Sequence, residues 1–404
     1  MAVVILDTLR ADMMDREDLL ARLPMMQRLF RESYVFTRAY APSHWSLPSH
    51  ASLFTGLAPS EHMAYPPHMK LRQDVTTIAE VFRSQGYMTA CITCNPFISD
   101  LFGMTRGFEV VWEPPSLSMA WRLGLAIDLI SSRFNHNGEI PGASHLAKLI
   151  AAIILSTPIA DNGARAATRC VGRMLRGNGS KTFLVVNLME AHGPYHGRGR
   201  YAAWWKRIQY RGVFGRWNRL KFAIMGGRLA MTDGMRRDID GIYWQNVTYM
   251  DSQLGTLVQG LPEDFLDKGY LVVLSDHGQL LGEDGGVDHS AGLGENLIRV
   301  PLVIRPPGGV RGQRMDRPID ITWVYSLLSS IASNEPCALA DWLEWTSQQD
   351  SVLSVAHGGQ VPYVDGLRER DPLFRGDLIA FKVKHDHPAI ASIAGRWKLV
   401  CHLG

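Results

Sequence analysis

The chain has 404 residues, of which 46% are apolar and 20% charged, and its formal net charge is +3. That length permits two or three domains around a large core, and so small a net charge makes no case for nucleic acid as a partner. Five cysteines, at positions 91, 94, 170, 337 and 401, argue against a disulfide scaffold, and no segment approaches the roughly 20 apolar residues of a membrane span.

The chain opens on AVVILD, a continuous apolar run that reads as a buried strand over residues 3–6 and ends in Asp7. A strand so early leaves no room for a signal peptide, which makes a cytoplasmic location the default expectation, with a lost N-terminal segment as the alternative. Residues 23–32 and 76–85 carry apolar positions at three- and four-residue spacing and are predicted helices. Between them, YAPSHWSLPSHASLFTG (40–56) reads as a Leu-Pro-Ser turn followed by a short helix ASLF that Gly56 closes. The pair Cys91 and Cys94 lies in a strand-like run, ACITCNPF, and reads as buried thiols because no second pair exists to complete a zinc site. Further on, 164–176 is a predicted helix, FLVVN (183–187) a strand with His192 beyond it, and 243–259 another helix. The last such strand is YLVVL (270–274), followed at once by Ser275, Asp276 and His277, and GGVDHSAGLG then adds His289.

Apolar runs of this kind suit a mostly parallel sheet covered by helices on both faces, so the alternation predicts an α/β fold. In such folds reactive residues collect beyond the carboxyl ends of the strands, which would bring Asp7, His192, Asp276 and His277 together. Residues 115–240 interrupt the rhythm and read as containing a helical insertion. Within it, 198–232 holds nine Lys or Arg and no Asp or Glu, interleaved with Tyr201, Trp204, Trp205, Tyr210, Phe214, Trp217 and Phe222. A solvated surface is the plain reading; a face for anionic substrate, for lipid headgroups at a membrane surface, or for another protein are the alternatives.

Three segments carry the chemistry. Ser46 stands just ahead of a helix, where backbone N–H groups favour a developing anion, although serines there are usually caps. Asp7 ends a buried strand, where a lone carboxylate is costly unless a cation or metal accompanies it. Asp276 and His277 offer oxygen and imidazole ligands from one loop.

Together these segments resemble the sulfatases and their relatives in the alkaline phosphatase superfamily. ILDTLRAD is similar to the family's first strand, LPMMQRLFRESYVFTRAYAPSHWSLPSHASLFTG to its nucleophile segment, and GYMTACITCNPFISDLFGMTRGFE, FLVVNLMEAHGPY, YMDSQLGTLVQGL and VVLSDHGQLLGEDGGVDHSAGLGENLIRVPLVIRPPG follow in family order. IASIAGRWKLVCHLG is similar to a late strand. The resemblance implies a catalytic domain over 1–310 and a smaller C-terminal part, 311–404, that completes the fold, with a trimmed end as the alternative. It also implies Ser46 at the nucleophile position, Asp7, Asp276, His277 and Ser46 itself around one divalent ion, and His192 and His289 facing the oxygens of a small-molecule, sugar or lipid ester.

Two departures bear on the chemistry. The family's C/S-x-P-x-R segment has His50 at its arginine position, which favours a plain serine at Ser46 over formylglycine and hence phosphoryl transfer from a metal-activated alkoxide. Thr8 replaces the second of the family's paired aspartates, so manganese, zinc and calcium remain candidates, with the imidazole favouring a transition metal. His192 or His289 would protonate the leaving group, and His50 and Arg10 are candidates for holding the remaining oxygens, with bracing of the loop as the alternative for Arg10. The competing functions are a phospho-headgroup transferase at a membrane surface and a non-catalytic binding module.

Overall fold

The apolar runs of the sequence become the strands of one central sheet. The computed structural model describes residues 1–114, 161–176, 180–193, 195, 220–221, 223–289, 292–349, 351–357 and 388–402. The strands are β1 (Ala2–Leu6), β2 (Tyr34–Tyr40), β3 (Met88–Thr93), β4 (Val110–Trp112), β5 (Thr182–Leu188), β6 (Leu271–Leu274), β7 (Leu280–Leu281), β8 (Val287–Asp288), β9 (Arg299–Arg305), β10 (Gln313–Met315), β11 (Ile319–Asp320), β12 (Ser351–His357), β13 (Pro388–Ala394) and β14 (Trp397–His402). The main sheet runs β10-β2-β9-β6-β1-β5-β3-β4, with β11 also paired to β2. β1, β3, β4, β5 and β6 are mutually parallel, and β9 runs antiparallel to β6 and β2. The α/β fold with a mostly parallel sheet, expected from the alternation of runs, is the fold observed.

Seven helices matter for the site: α1 (Pro24–Glu32), α2 (Ser46–Thr55), α3 (Ile78–Ser84), α4 (Ala164–Leu175), α5 (Asp233–Gln259), α6 (Val324–Ala332) and α7 (Ala338–Ser347). They sort to two faces because successive side chains of a strand alternate. Ala2, Val4 and Leu6 of β1, Leu184 and Val186 of β5 and Leu271 and Val273 of β6 pack toward α1, α4 and α5. Val3, Ile5, Phe183, Val185, Val272 and Leu274 pack toward α2, α3, α6 and α7. In register, Ile5 lies opposite Asn187 and Leu274. Two residues beyond Ile5 comes Asp7, and two beyond Leu274 comes Asp276, so strand parity alone sends both carboxylates, with Asn187, to the α2 face at the carboxyl edge.

Two helices depart from the sequence expectation. The helix expected over ASLF begins at Ser46, because Pro48 falls in its first turn, where a missing N–H costs nothing. The helix expected from residue 243 begins at Asp233, with the Thr232 hydroxyl accepting from Met235 N–H; its first turns are polar and half exposed, which hides them from an apolar period. No described helix is long and apolar enough to cross a membrane.

Residues 313–347 complete the main layers, and a separate antiparallel sheet, β12-β13-β14, forms the small C-terminal subdomain. Of the expected insertion, residues 115–160 and 196–219 lie outside the described residues, so the aromatic and basic surface proposed for 198–232 is described only at its end.

Gly56 ends α2 at φ 71, and a Cβ there would stand 2.7 Å from Cδ1 of Tyr325 on α6. Gly56→Ala is therefore expected to lower the urea midpoint by the equivalent of roughly 1–3 kcal/mol through left-handed strain and overpacking; an unchanged midpoint would show that the α2–α6 contact can open freely.

Candidate active site

The two carboxylates at the sheet edge are each half satisfied. Oδ2 of Asp7 accepts from Nδ2 of Asn95 at 2.7 Å and of Asn187 at 3.0 Å. Oδ1 of Asp276 accepts from the backbone N–H of Thr8 at 3.1 Å and of His277 at 3.0 Å. The other oxygen of each, Oδ1 of Asp7 and Oδ2 of Asp276, is buried and accepts no hydrogen bond from any described residue. Both side chains are fully buried. Leaving such an atom unmade costs about 1–3 kcal/mol and more for a charged group, so each points to a cation it was built to meet.

His277 completes the group. Among the described residues, Asp7, Asp276 and His277 form the cluster whose ligand atoms all lie within 4.8 Å of one another. Nδ1 of His277 lies 2.9 Å from the Gly278 carbonyl, which can only accept, so Nδ1 carries the proton and Nε2 keeps its lone pair. Burial pushes the imidazole down to about 4, which keeps it neutral and a competent ligand at pH 7. Two hard oxygens and one imidazole, with free lone pairs converging, fit a divalent cation, and the second shell of Asn95, Asn187 and Thr8 N–H fixes the carboxylates.

Ser46 is the first residue of α2, and its Oγ lies 3.1 Å from Nε2 of His277. With Nε2 bearing a lone pair, the hydroxyl is the donor. Ser49, one turn on, donates to the Asp276 carbonyl at 2.6 Å and ties α2 to the β6 loop. His50 is fully buried beneath: Nδ1 donates to the Ser46 carbonyl at 2.7 Å, Nε2 accepts from Asn187 at 3.4 Å, and Oδ2 of Asp276 is 3.5 Å from Nδ1. Both ring nitrogens of His50 are thus engaged within the chain.

His289 and His192 follow outward from this centre in tilted and edge-on ring contacts. The ring centroids of His277 and His289 are 4.5 Å apart, and those of His289 and His192 4.8 Å. Nδ1 of His289 faces Asp288 Oδ1 at 2.7 Å and Gln279 Oε1 at 2.8 Å, so it donates there and Nε2 is the nitrogen left with a lone pair. Oδ2 of Asp288 pairs with Lys221 at 2.8 Å. Burial opposes the charge on Asp288, but Lys221 and His289 outweigh it and hold the carboxyl well below its usual range. Burial pushes His289 down to about 4 against the pull of Asp288.

Arg10 lies just outside. Its guanidinium donates to Asp12 at 3.0 and 2.8 Å, to Glu283 at 2.8 Å and to the Gln279 carbonyl at 3.0 Å. Burial works against its charge, and the two carboxylates more than offset this. These contacts describe a brace between the β1 loop and the β7 loop rather than a group turned to substrate.

Thr8 bends the chain sharply, at φ 59, a left-handed conformation that costs a β-branched residue about 1–3 kcal/mol. Sequence reading missed Asn95, Asn187, Asp288 and Lys221. Strand parity was the available signal for Asn187, a polar residue two past Val185 on a face otherwise apolar.

Comparison with known proteins identifies the family and the fold. A family model described as Sulfatase matches residues 1–331. A choline-sulfatase of Rhizobium meliloti (strain 1021) is 22% identical over 381 residues, covering 86% of this chain and 67% of that protein. Among solved structures, a phosphonate monoester hydrolase of Silicibacter pomeroyi superposes with a TM-score of 0.68 at 19% identity, over 99% of this chain and 86% of that one. The phosphonate monoester hydrolase of Agrobacterium radiobacter gives 0.67 at 18% identity over the same shares, 99% and 86%.

The neutral His277 sets a pH dependence for the metal-free protein. Its pKa is about 4 in the native state against 6.5 unperturbed, so the unfolded chain takes up the proton first as pH falls. That stability is fully present above about pH 6.5 and is lost toward pH 4, by about 3–4 kcal/mol at most at roughly 1.4 kcal/mol per unit. Urea unfolding in chelator should show the decline between pH 7 and 4.5 and a shallower one for His277→Asn; equal slopes would contradict a buried neutral imidazole.

Proposed function

The chain belongs to the sulfatase family of hydrolases acting on ester bonds, and from that premise we propose that it cleaves a sulfate-, phosphate- or phosphonate-type ester by attack of the Ser46 hydroxyl at a cation centre of Asp7, Asp276 and His277. The observation that supports this most is the meeting of Ser46 Oγ with His277 Nε2 at 3.1 Å, beside two buried carboxylate oxygens that accept nothing. A divalent cation held there would neutralise an ester oxygen and favour the ionised form of the serine hydroxyl.

The chain's own groups supply the rest. Ser46 gives its hydroxyl proton to solvent, its Oγ bonds to the sulfur or phosphorus as the bond to the alkoxide leaving group breaks, and water then cleaves that ester, releasing the acid and returning a proton to Oγ. His289 is the group we assign to protonating the leaving oxygen: Asp288 and Gln279 take its Nδ1–H and leave Nε2 for the substrate side. An arriving anionic ester favours the charged imidazole, so its protonation is coupled to binding. His192, in ring contact with His289, is assigned to the non-reacting oxygens. Arg10 and His50 are assigned to bracing, given their internal partners.

Plain serine is favoured over formylglycine because His50 stands where the family's modified segment has arginine. The relatives are named for a sulfate ester of choline and for phosphonate monoesters; a plain serine directs this chain toward phosphorus, and a metal ligand set with one imidazole toward manganese or zinc.

Ser46→Ala should lower kcat on aryl phosphate or phosphonate esters by at least roughly 1,000-fold, about 4 kcal/mol of barrier, and the intact peptide containing Ser46 should have the mass of an unmodified serine. Loss of two hydrogens from that peptide would overturn the plain-serine reading, and undiminished turnover by Ser46→Ala would overturn the nucleophile. Exhaustive chelation should abolish turnover, with Mn2+ or Zn2+ restoring it; turnover that survives chelation with no residual bound metal would contradict the cation centre.

A further inference from the structure

The turn that leaves β1 carries the least comfortable residue of the site. Thr8 is β-branched and sits at φ 59, a conformation that persists only where its surroundings over-determine it. The Leu9 N–H closes the turn by donating to the Leu6 carbonyl at 3.1 Å, and one phenol braces it from outside. The hydroxyl of Tyr243 donates to the Thr8 carbonyl at 2.9 Å and accepts from the Arg10 N–H at 2.9 Å, so a single oxygen bridges both sides of the turn. Tyr243 is fully buried on α5, the 27-residue helix that packs against α1 and α4, and it cannot follow the loop if the loop moves. The far side of the same turn is anchored independently by Arg10 to Asp12 and Glu283.

The consequence of the turn is the direction of one N–H. At this φ the Thr8 N–H meets Oδ1 of Asp276 at 3.1 Å, across from β1 to the β6 loop. Together with the His277 N–H it occupies that oxygen and leaves Oδ2 as the atom facing His277 Nε2 at 3.3 Å. This contact joins the two carboxylate-bearing loops at the carboxylates themselves, since Asp7 precedes Thr8 and Asp276 receives its N–H, while Arg10 ties the same loops further out through the Gln279 carbonyl.

We propose that Tyr243 is a positioning residue for the cation centre, acting through the strained turn at Thr8 to aim the free oxygen of Asp276. This rests on the assignment of Asp7, Asp276 and His277 as cation ligands. Partners of ligating carboxylates typically change metal affinity by about 10–100-fold when removed, and the aim here is transmitted through one intervening peptide. If strain is what the phenol restrains, a residue that adopts this φ freely removes the need for it, and glycine is that residue.

Titration of the metal-free protein with Mn2+ alone, read by calorimetry, tests this without any turnover. Tyr243→Phe should weaken binding about tenfold or more, Thr8→Gly should bind within about threefold of the parent, and the Thr8→Gly, Tyr243→Phe double variant should bind like Thr8→Gly, the non-additivity that marks coupled residues. Parent-like binding by Tyr243→Phe overturns the proposal, as does a double variant as weak as Tyr243→Phe alone. Circular dichroism of each metal-free variant accompanies the titration. Should Tyr243→Phe not fold, the double variant decides: folded with parent-like binding it supports the restraint, and unfolded it makes Tyr243 a structural residue only, which also overturns the proposal. Asp276→Asn separates this from failure of the centre itself. If the parent does not bind Mn2+, or Asp276→Asn binds as the parent does, the ligand assignment has failed and the proposal with it; if Asp276→Asn loses binding and Tyr243→Phe does not, only the proposal has failed.

Discussion

Two carboxylates buried side by side, each with one oxygen pinned by N–H donors and the other without a partner, constrain everything around them. Asp7 and Asp276 sit at the ends of neighbouring strands on the same sheet face, where water cannot relieve their charge and repulsion between them is undiminished by solvent. A folded chain keeps such a pair only if something positive meets both. His277 cannot do so as an imidazolium, since burial holds it neutral near pH 7. The divalent ion proposed between the free oxygens and Nε2 would resolve the conflict, and the donors on the far side of each carboxylate would keep the free atoms aimed at it.

The placement of the proposed nucleophile follows from the same edge. β1 and β6 are parallel neighbours, so their carboxyl ends open on one rim, and α2 lies across that rim with Ser46 at its first turn and Ser49 tied to the Asp276 carbonyl. The Ser46 hydroxyl therefore reaches the cluster from the helix N-terminus, where the backbone dipole favours an oxyanion. His289 arrives on a different support, the short β7–β8 ribbon, and its orientation depends on Asp288 and on Lys221 beyond it. Lys221 belongs to the basic stretch 198–232, which links that stretch to the candidate acid through one buried ion pair.

Much of this was legible before any coordinates, and for identifiable reasons. Parallel strands buried on both faces leave continuous apolar runs, and the polar residues that end them, Asp7 and the pair Asp276–His277, stand out against that background. The α/β class was readable on that basis and the sulfatase resemblance from the quoted segments in family order, and they agree with the sheet order and the family match. Asn95, beyond the end of β3, was hidden because an amide there carries no distinctive spacing, and Asn187 left only the faint signal of strand parity; the hydrogen bonds show that both point at Asp7. The strain at Thr8 was hidden because a threonine in sequence gives no hint of a positive φ, a conformation more familiar for glycine or asparagine. Arg10 is the converse case: in sequence it reads equally as a clamp on substrate oxygens or as a brace of the loop, and only its contacts to Asp12, Glu283 and the Gln279 carbonyl favour the brace. The polar first turns of α5 carry no apolar period, which is why its start lies ten residues before the expected one, at Asp233.

Anomalous diffraction from crystals grown with Mn2+ would address the central claim directly. The account expects one strong anomalous peak within about 2.0–2.4 Å of Asp7 Oδ1, Asp276 Oδ2 and His277 Nε2, the distances usual for oxygen and imidazole ligands, with Ser46 Oγ at its edge. Crystals that diffract well and show no peak between those three atoms, or a peak held by other residues, would contradict it.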